Sequence, residues 1–382
     1  MSRCSSQTAV NGVRFFVALL VLIAAGCGGR GSTTPASGTA TFHTVTEFAT
    51  PTDHSWPAAI TAGPDGNLWF TENGAGKVAK ITPSGTITEF TTPTDTSNPW
   101  TMTNAPDGNI WITEISGGYS GIGRVAKVTS SGNVTEFTTT SIGSNPYTIT
   151  SDAGGNIWFT ELGAGKIGRI TPAGTVTEFA TPTTDGNPLS ITKGPDGNLW
   201  FTEFNPGKIG RITASGTITE FMLPAASSFP EFITAGPDGN LWFTEGGAGK
   251  IGRASPSGTI SEFAVPSTGG HPYFIAAGPD GNLWFTEIQG GKIGRVTPSG
   301  SVTEFDTSSS NSGPEFITAG PDGNLWFTET GNGKIGRVTP AGVISEYPTS
   351  SRDSQPYFIT TGPDGNIWFT ERYGSKIGKI NP

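Results

Sequence analysis

A ten-residue segment, Gly-Pro-Asp-Gly-Asn-Leu-Trp-Phe-Thr-Glu, constrains the fold of this chain more than any other feature. It first occurs at residues 63–72 and returns with few changes up to the C-terminus. Successive copies are 42 residues apart, except for one interval of 47. The tryptophans of the eight copies are Trp69, Trp111, Trp158, Trp200, Trp242, Trp284, Trp326 and Trp368. A fixed period between about 20 and 50 residues indicates a repeat architecture.

Each repeat contains four short runs of strand-forming residues separated by turn signals. In the first repeat these runs are 59–62, 68–72, 77–82 and 86–90. Pro64 and Gly66 suit a turn, since proline fixes φ and glycine accepts a positive φ. The consecutive Leu68-Trp69-Phe70 predicts a strand that is covered on both faces, and no segment has a sustained helical period. Four short strands in 42 residues predict an all-β fold, with each repeat forming one β-propeller blade.

The two ends of the repeat region predict how the ring closes. The Trp strand and the fourth-strand Glu-Phe pair (Glu-Tyr in the last copy) each occur eight times. The most direct count is therefore eight four-stranded blades, with seven as the alternative. The repeats start on a lone fourth strand at 42–48 and stop after a third strand at 376–380. We expect the N-terminal strand to complete the last blade, because this removes an open sheet edge.

The first 41 residues have a different composition from the repeats. Residues 1–26 contain two arginines, no acidic residue and an apolar run too short for a comfortable membrane span. Cys27 follows them, and the sequence Ala24-Ala25-Gly26-Cys27 resembles a bacterial lipoprotein processing site. We expect a lipoprotein signal at 1–26, lipidation of Cys27, a flexible tether at 27–41 and a propeller at 42–382. The alternative is an ordinary signal peptide and a secreted or periplasmic protein.

The charge of the chain bears on its partners. The net charge is −9, and no basic stripe is present, so a nucleic acid is not an expected partner. Membrane contact is expected only through a lipid anchor at Cys27. A small-molecule or protein ligand is expected at the mouth of the central channel.

Residues that recur in every repeat are interpreted as structural. The glutamate that ends the segment, for example Glu72, is expected to pair with the recurrent Lys or Arg of the third strand. Asp65 and its equivalents are expected to be turn residues, without the spacing of a calcium loop. His43 and His54 are interpreted as surface residues.

The residues that differ between repeats are the better functional candidates. The most variable position follows the proline that opens each inner strand. We call its eight residues the post-proline ring: Ala58, Trp100, Tyr147, Leu189, Glu231, Tyr273, Glu315 and Tyr357. Aromatic members suit stacking on a flat ligand, and carboxylates suit a cation or hydrogen-bond donors. We predict Trp100, Tyr147 and Tyr357 as ligand-binding residues.

One sector of the ring adds a histidine. His271 precedes Pro272, and Glu231 and Glu315 belong to the blades on either side. Glu231, His271, Tyr273 and Glu315 are therefore the candidate catalytic residues. The alternative is a solvated rim with scattered polar residues.

The blade pattern Ile-Thr-x-Gly-Pro-Asp-Gly-Asn-Leu-Trp-Phe-Thr-Glu, followed by Lys-Ile-Gly-Arg-Ile-Thr-Pro, closely resembles the streptogramin B lyase (virginiamycin B lyase) family over residues 42–382. The resemblance implies a seven-bladed propeller that opens a cyclic depsipeptide by elimination at its ester, assisted by Mg²⁺. It also implies histidines directly after the inner-strand proline and a glutamate just beyond the final Trp-Phe strand. Here no post-proline residue is histidine, and no residue one past the blade glutamate is acidic.

Three functions follow from these observations. The first is an envelope-anchored propeller that binds a ligand or partner without catalysis. The second is a C–O lyase that acts on a cyclic depsipeptide or lactone ester, with Mg²⁺ as its cofactor. The third is another propeller hydrolase, such as a lactonase with a metal ion in the channel.

Overall fold

The computed structural model describes residues 43–95, 97–115, 121–225 and 227–382. These residues form eight four-stranded antiparallel sheets arranged as a ring of blades, which confirms the predicted all-β propeller and its blade count. The sole helix in the described ranges is a short 3₁₀ turn, Arg352–Ser354, so none found there could cross a membrane. Cys27, the predicted signal and the tether lie outside the described residues.

The blades are numbered in chain order from the first complete one, and the innermost strand of each comes first in sequence. Blades 1 to 4 comprise β2 (Pro57–Ala62), β3 (Leu68–Glu72), β4 (Lys77–Ile81), β5 (Ile87–Thr91), β6 (Pro99–Asn104), β7 (Ile110–Glu114), β8 (Ile122–Val128), β9 (Val134–Ile142), β10 (Pro146–Ser151), β11 (Ile157–Glu161), β12 (Lys166–Ile170), β13 (Val176–Ala180), β14 (Pro188–Lys193), β15 (Leu199–Glu203), β16 (Lys208–Ile212) and β17 (Ile218–Met222). Blades 5 to 8 comprise β18 (Pro230–Ala235), β19 (Leu241–Glu245), β20 (Lys250–Ala254), β21 (Ile260–Ala264), β22 (Pro272–Ala277), β23 (Leu283–Glu287), β24 (Lys292–Val296), β25 (Val302–Asp306), β26 (Pro314–Ala319), β27 (Leu325–Glu329), β28 (Lys334–Val338), β29 (Ile344–Pro348), β30 (Pro356–Thr361), β31 (Ile367–Glu371), β32 (Lys376–Ile380) and β1 (Val45–Ala49).

Blade 8 joins the two ends of the described chain. Strand β1 pairs antiparallel with β32, from Val45 opposite Ile380 to Ala49 opposite Lys376. The Nζ of Lys376 lies 2.6 Å from Oε2 of Glu47, so a salt bridge spans the junction. The N-terminal strand therefore supplies the outer edge of the last blade, as predicted.

His43 corrects one expectation from the sequence. It is half-buried rather than a surface residue. Its Nδ1 donates to the backbone oxygen of Asn381 at 2.8 Å, and Arg337 donates to its Nε2 at 3.0 Å. Its ring also contacts the rings of Trp326 and Tyr347 in blade 7. His43 therefore links the N-terminal strand to the neighbouring blade.

The second strand of each blade is buried on both faces, as the consecutive Leu-Trp-Phe predicts. Its tryptophan stacks on the fourth-strand Phe or Tyr, with ring centroids 5.3–5.8 Å apart in all eight blades. In blades 3 to 7 a third-strand Arg lies over this pair and reaches the next blade. Arg211, for example, donates from Nη1 to the oxygen of Pro256 at 2.9 Å. The same side chains therefore fill each blade and bind it to its neighbour.

The threonine of the recurring segment also connects adjacent blades, at the bulge that follows the inner-strand proline. Thr71 Oγ1 accepts from the backbone N–H of Ala59 in its own blade and donates to the oxygen of Trp100 in the next. Thr202 makes the equivalent bonds to Ser190 and Glu231. These bonds fix the backbone of the post-proline ring.

The prediction that the recurring glutamate pairs with the third-strand Lys or Arg is wrong. The third-strand Lys or Arg instead binds the fourth-strand glutamate in every blade, as in Lys77–Glu89 at 2.6 Å and Lys166–Glu178 at 2.9 Å. The glutamate of the segment is buried in every blade, and in Glu161 and Glu203 neither carboxylate oxygen meets a hydrogen-bond donor. Burial first, and then the like charge of the fourth-strand glutamate, raise its pKa to about 7 in Glu72 and to about 8 in Glu161 and Glu203. At pH 7 the carboxyls of Glu161 and Glu203 are therefore largely neutral, while a lysine neutralises the outer glutamate of each of these two blades.

Candidate functional site

The two faces of the ring differ in how much their loops repeat. The Pro-Asp-Gly-Asn turns lie on one face, where Asp65 Oδ1 accepts from the N–H of Asn67 and from Trp69 Nε1, as predicted for a turn residue. The hairpins between second and third strands and the connections between blades lie on the other, which we call the variable face. The post-proline ring lies at the channel mouth on this face.

Side chains of the inner strands meet in one network of eight aromatic rings. Trp100 is 5.8 Å from Tyr147 and 6.1 Å from Tyr357, between ring centroids. Tyr357 contacts Phe316, which also meets Tyr273. The remaining members are Phe232, Phe274 and Phe358. The predicted ligand-binding aromatics therefore belong to one connected network, in which Trp100 contacts both Tyr147 and Tyr357.

Three of the rings in this aromatic network carry tyrosine hydroxyls. Burial raises the pKa of Tyr147 to about 12 and that of Tyr273 well above its usual value. The charges of Glu231 and Glu315 add to the rise for Tyr147, although Glu315 comes from blade 7 and Tyr147 from blade 3. Groups from opposite sides of the ring thus lie within electrostatic reach of each other.

Arg372 is the functional candidate that the sequence did not single out. It follows the recurring glutamate of blade 8, and its guanidinium lies 5.4 Å from the ring centroids of both Trp100 and Tyr357. To reach Trp100 in blade 2 it spans blade 1, whose post-proline residue is the small Ala58. Its Nε is buried without a hydrogen-bond partner. The sequence signal was a lone charged residue where other blades have apolar, amide, hydroxyl or glycine residues.

Glu315 lies near Arg372 and the aromatic network, and we call these residues together the central cluster. Burial raises its pKa to about 7, while a hydrogen bond from Thr330 and the positive charge of Arg372 oppose the rise. Its Oε2 is buried and has no hydrogen-bond partner. Glu315 therefore exchanges a proton near neutral pH at the edge of the aromatic network.

Glu231 and His271 form a direct pair. The Nε2 of His271 lies 2.7 Å from Oε1 of Glu231, whose side chain is only 7% exposed. The hydrogen bond to Glu231 raises the pKa of His271, against a smaller opposite effect of burial. Of the four predicted catalytic residues, the structure pairs these two and places Tyr273 and Glu315 in the central cluster.

The residue before each inner-strand proline has an unusual backbone that the sequence analysis missed. Seven of these eight positions have a positive φ: Trp56, Asn145, Asn187, Phe229, His271, Gly313 and Gln355. Asn and Gly accept this conformation readily, whereas Trp, Phe, His and Gln are strained there. Asn or Gly at this position in several repeats was the available signal. The conformation therefore occurs where the connections on the variable face enter the inner strands, and His271 is one of these residues.

The donor set at the mouth does not fit a magnesium ion. Mg²⁺ requires oxygen ligands in near-octahedral geometry. Glu231 is engaged by His271, and the charge of Arg372 beside Glu315 opposes a divalent cation. Across the described ranges, no three His, Cys, Asp or Glu side chains are grouped so that they could hold a metal ion.

Comparison with known proteins gives a consistent result. The model of the Virginiamycin B lyase family matches residues 36–191, 120–311 and 172–382. A solved streptogramin B lyase is 36% identical, with 89% of this chain and 97% of that chain covered and a TM-score of 0.65. Selenomethionine-substituted virginiamycin B lyase from Staphylococcus aureus is 37% identical, with coverage of 89% and 100% and a TM-score of 0.66. A catalytically inactive variant of that lyase, solved with quinupristin, is 36% identical, with coverage of 89% of this chain and 100% of that chain and a TM-score of 0.66. No curated protein sequence matches the chain.

Proposed function

Because the chain belongs to the virginiamycin B lyase family, we propose that its variable face retains the ability to bind a small molecule but not to open it. The ligand class that the family suggests is the cyclic depsipeptide, since quinupristin accompanies the related inactive lyase. The ligand lies over the aromatic network and beside the Glu231–His271 pair.

The observation that carries the proposal is the pairing of His271 with Glu231 at 2.7 Å. An elimination requires an unprotonated base close to the substrate and a group that assists departure of the leaving oxygen. The hydrogen bond to Glu231 favours the protonated form of His271, and Glu231 is already the acceptor of that bond. The pair can hold a polar group of the ligand, but neither member is a free base.

A second function, the C–O lyase, is favoured by Glu315. Its pKa of about 7 and its unpartnered Oε2 are properties of a general base that works near neutral pH. In that reaction Glu315 would take the proton next to the carbonyl, and the neighbouring Arg372 would stabilise the negative charge that develops on the leaving carboxylate. The identity of 36–37% to lyases supports this alternative.

One experiment separates the two functions. Residues 43–382 are titrated with quinupristin in the presence of Mg²⁺ by calorimetry, and the ligand is then examined by chromatography and fragment mass spectrometry, since elimination leaves the mass unchanged. We expect saturable binding of an intact macrocycle, weakened at least about tenfold by a Glu231→Gln/His271→Ala double substitution. A ring-opened product that disappears in Glu315→Gln would overturn the proposal in favour of the lyase. The absence of binding up to millimolar concentration would overturn it as well.

We also propose, from the N-terminal sequence, that the protein is anchored at the bacterial cell envelope. The Ala24-Ala25-Gly26-Cys27 sequence supports cleavage before Cys27 and acylation of its thiol. Growth with a radiolabelled or alkyne-tagged fatty acid is expected to label the full chain but not a Cys27→Ser variant. Equal labelling of the two proteins would contradict the anchor.

A further inference from the structure

We propose that the variable face contains an apolar subsite between blades 3 and 4 that binds a benzyl or branched-alkyl group of the ligand. The inference deepens the proposed function and rests on it, because it states which part of the ligand is recognised and where. The subsite lies apart from the central aromatic network.

A cavity of about 330 Å³ defines this subsite, and it is lined by Leu162, Asn187, Leu189 and Phe204. Leu189 is the post-proline residue of blade 4, and Leu162 and Phe204 follow the recurring glutamates of blades 3 and 4. An apolar cavity of roughly 150 Å³ is sufficient to bind benzene. Three of the four lining side chains are apolar, so the cavity has both the size and the surface for one hydrophobic group.

The lining residues are fixed by contacts with the backbone and with each other. Asn187 Nδ2 donates to the oxygen of Leu162 at 3.1 Å, and the N–H of Phe204 donates to the oxygen of Asn187 at 3.1 Å. The rings of Phe204 and Phe229 are stacked with centroids 5.0 Å apart. The wall of the cavity is therefore preorganised, which lowers the entropic cost of binding.

Two glycines connect the subsite to the Glu231–His271 pair. A Cβ on Gly247 would lie 2.3 Å from the Phe229 ring, and one on Gly246 would lie 2.5 Å from Glu231 Oε1 and 2.8 Å from His271 Cε1. Blade 5 is the one blade with glycine at both positions after the recurring glutamate. The glycines thus allow an apolar wall and a polar pair to lie side by side.

This juxtaposition specifies the chemistry of the ligand. Its apolar group enters the Leu162–Leu189–Phe204 cavity, and a neutral amide or ester a few bonds away meets the Glu231–His271 pair. The pair carries no net charge when His271 is protonated, so a neutral polar group is favoured there over a fully charged one. The subsite therefore determines the orientation of the ligand as well as its class.

The test uses toluene as the probe and methyl NMR of leucine-labelled protein, residues 43–382, as the readout. We expect saturable shifts of the Leu162 and Leu189 methyl signals, and at least about tenfold weaker binding of toluene to Leu162→Gln. The matched control is Ile115→Gln, which changes the equivalent position in blade 2 and should leave toluene binding unchanged. Equal melting temperatures of the variants verify that the fold is intact.

The outcomes distinguish a failure of the subsite proposal from a failure of the proposed function. If toluene causes no shift up to its solubility limit, or if the two variants weaken its binding equally, the subsite is wrong even where quinupristin binds. If toluene binds and quinupristin does not, the subsite stands and the depsipeptide is the wrong ligand. Leu162→Gln is also expected to weaken quinupristin binding, if it occurs, more than Ile115→Gln does.

Discussion

Single residues in a strained backbone distinguish the functional face from the rest of the propeller. His271 and Phe229 have φ values of 54° and 45°, and both precede a proline. A residue other than glycine in this region costs roughly 1 kcal/mol or more, and asparagine tolerates it best. Where a blade carries a bulky residue there instead of asparagine, that side chain is a candidate for a role on the face.

Gln355 offers a direct measurement of this cost, because its φ is 50° and the equivalent residue of blade 3 is Asn145. We expect Gln355→Asn to stabilise the protein by about 0.5–1 kcal/mol, since asparagine keeps the amide and accepts the left-handed conformation. Thermal unfolding measures the change. The reverse substitution, Asn145→Gln, serves as the control and should destabilise; a loss of stability in both variants would contradict the argument.

At the scale of the strand, the glutamate that ends the recurring segment lies close to the glutamate of the fourth strand. As a carboxylate, Glu161 lies buried beside Glu178 with no donor, but once protonated it donates to Glu178. Lys166 holds Glu178 in its charged form, and although burial alone would raise the pKa of Glu178, hydrogen bonds from Ser141 and Lys166 lower it to about 2. Blade 3 therefore holds one largely neutral carboxyl and one charged carboxyl side by side at pH 7.

The raised pKa of Glu161 predicts a pH dependence of stability. Its pKa is about 8 in the folded chain against a usual value of 4.5, so the folded state binds an extra proton between these values. The free energy of unfolding therefore decreases as the pH rises from 4.5, and the decrease is complete above about pH 8. Glu161→Gln mimics the protonated acid, so we expect its stability relative to the parent to increase by about 4 kcal/mol between pH 5 and pH 9.

Denaturant unfolding of both proteins at the two pH values measures this difference. The control is Asp53→Asn, which changes an exposed carboxyl in a connection between strands and should leave the difference from the parent constant. If Glu161→Gln is destabilised more at pH 9 than at pH 5, then Glu161 is ionised in the folded protein and the assignment of the proton is wrong.

The sequence predicted the strands well because every signal for them is repeated eight times. Turn residues, the Leu-Trp-Phe strand and the 42-residue period all indicate the same blade. The ion pairs were mispredicted because Lys77 is opposite Glu72 in the strand register, yet its side chain reaches Glu89 in the neighbouring strand. Pairing across a sheet depends on the direction of long side chains, which spacing along the sequence does not give.

At the scale of the whole molecule, the site depends on residues that do not repeat. The sequence identified the post-proline ring, and it identified Glu231 of that ring and the neighbouring His271 as candidate catalytic residues. It did not identify Arg372, because that side chain extends from blade 8 to Trp100 in blade 2, and contacts across the ring are not encoded in the period. It also did not predict that the aromatic residues would pack together, which requires knowledge of how far each reaches toward the axis.

Ring closure by the N-terminal strand predicts a large effect of truncation. A chain that starts at residue 50 lacks β1 and with it the Glu47–Lys376 salt bridge, the Phe48–Trp368 stack and the contacts of His43. We expect its melting temperature to fall by more than about 10 °C, because blade 8 is left with an open edge. A chain that starts at residue 43 is the control and should melt like the full-length protein. Equal melting of the two truncated chains would contradict the importance of the junction.

Blade 8 contains both the first strand and the last three strands of the described chain, and this sets an order of events on the ribosome. Blades 1 to 7 are each encoded in one continuous stretch, so they can form in turn as the chain emerges. Strand β1 stays without its partner until β32 has been synthesised. During that interval its apolar residues Val45 and Phe48, which are partly buried in the finished ring, have no partner strand.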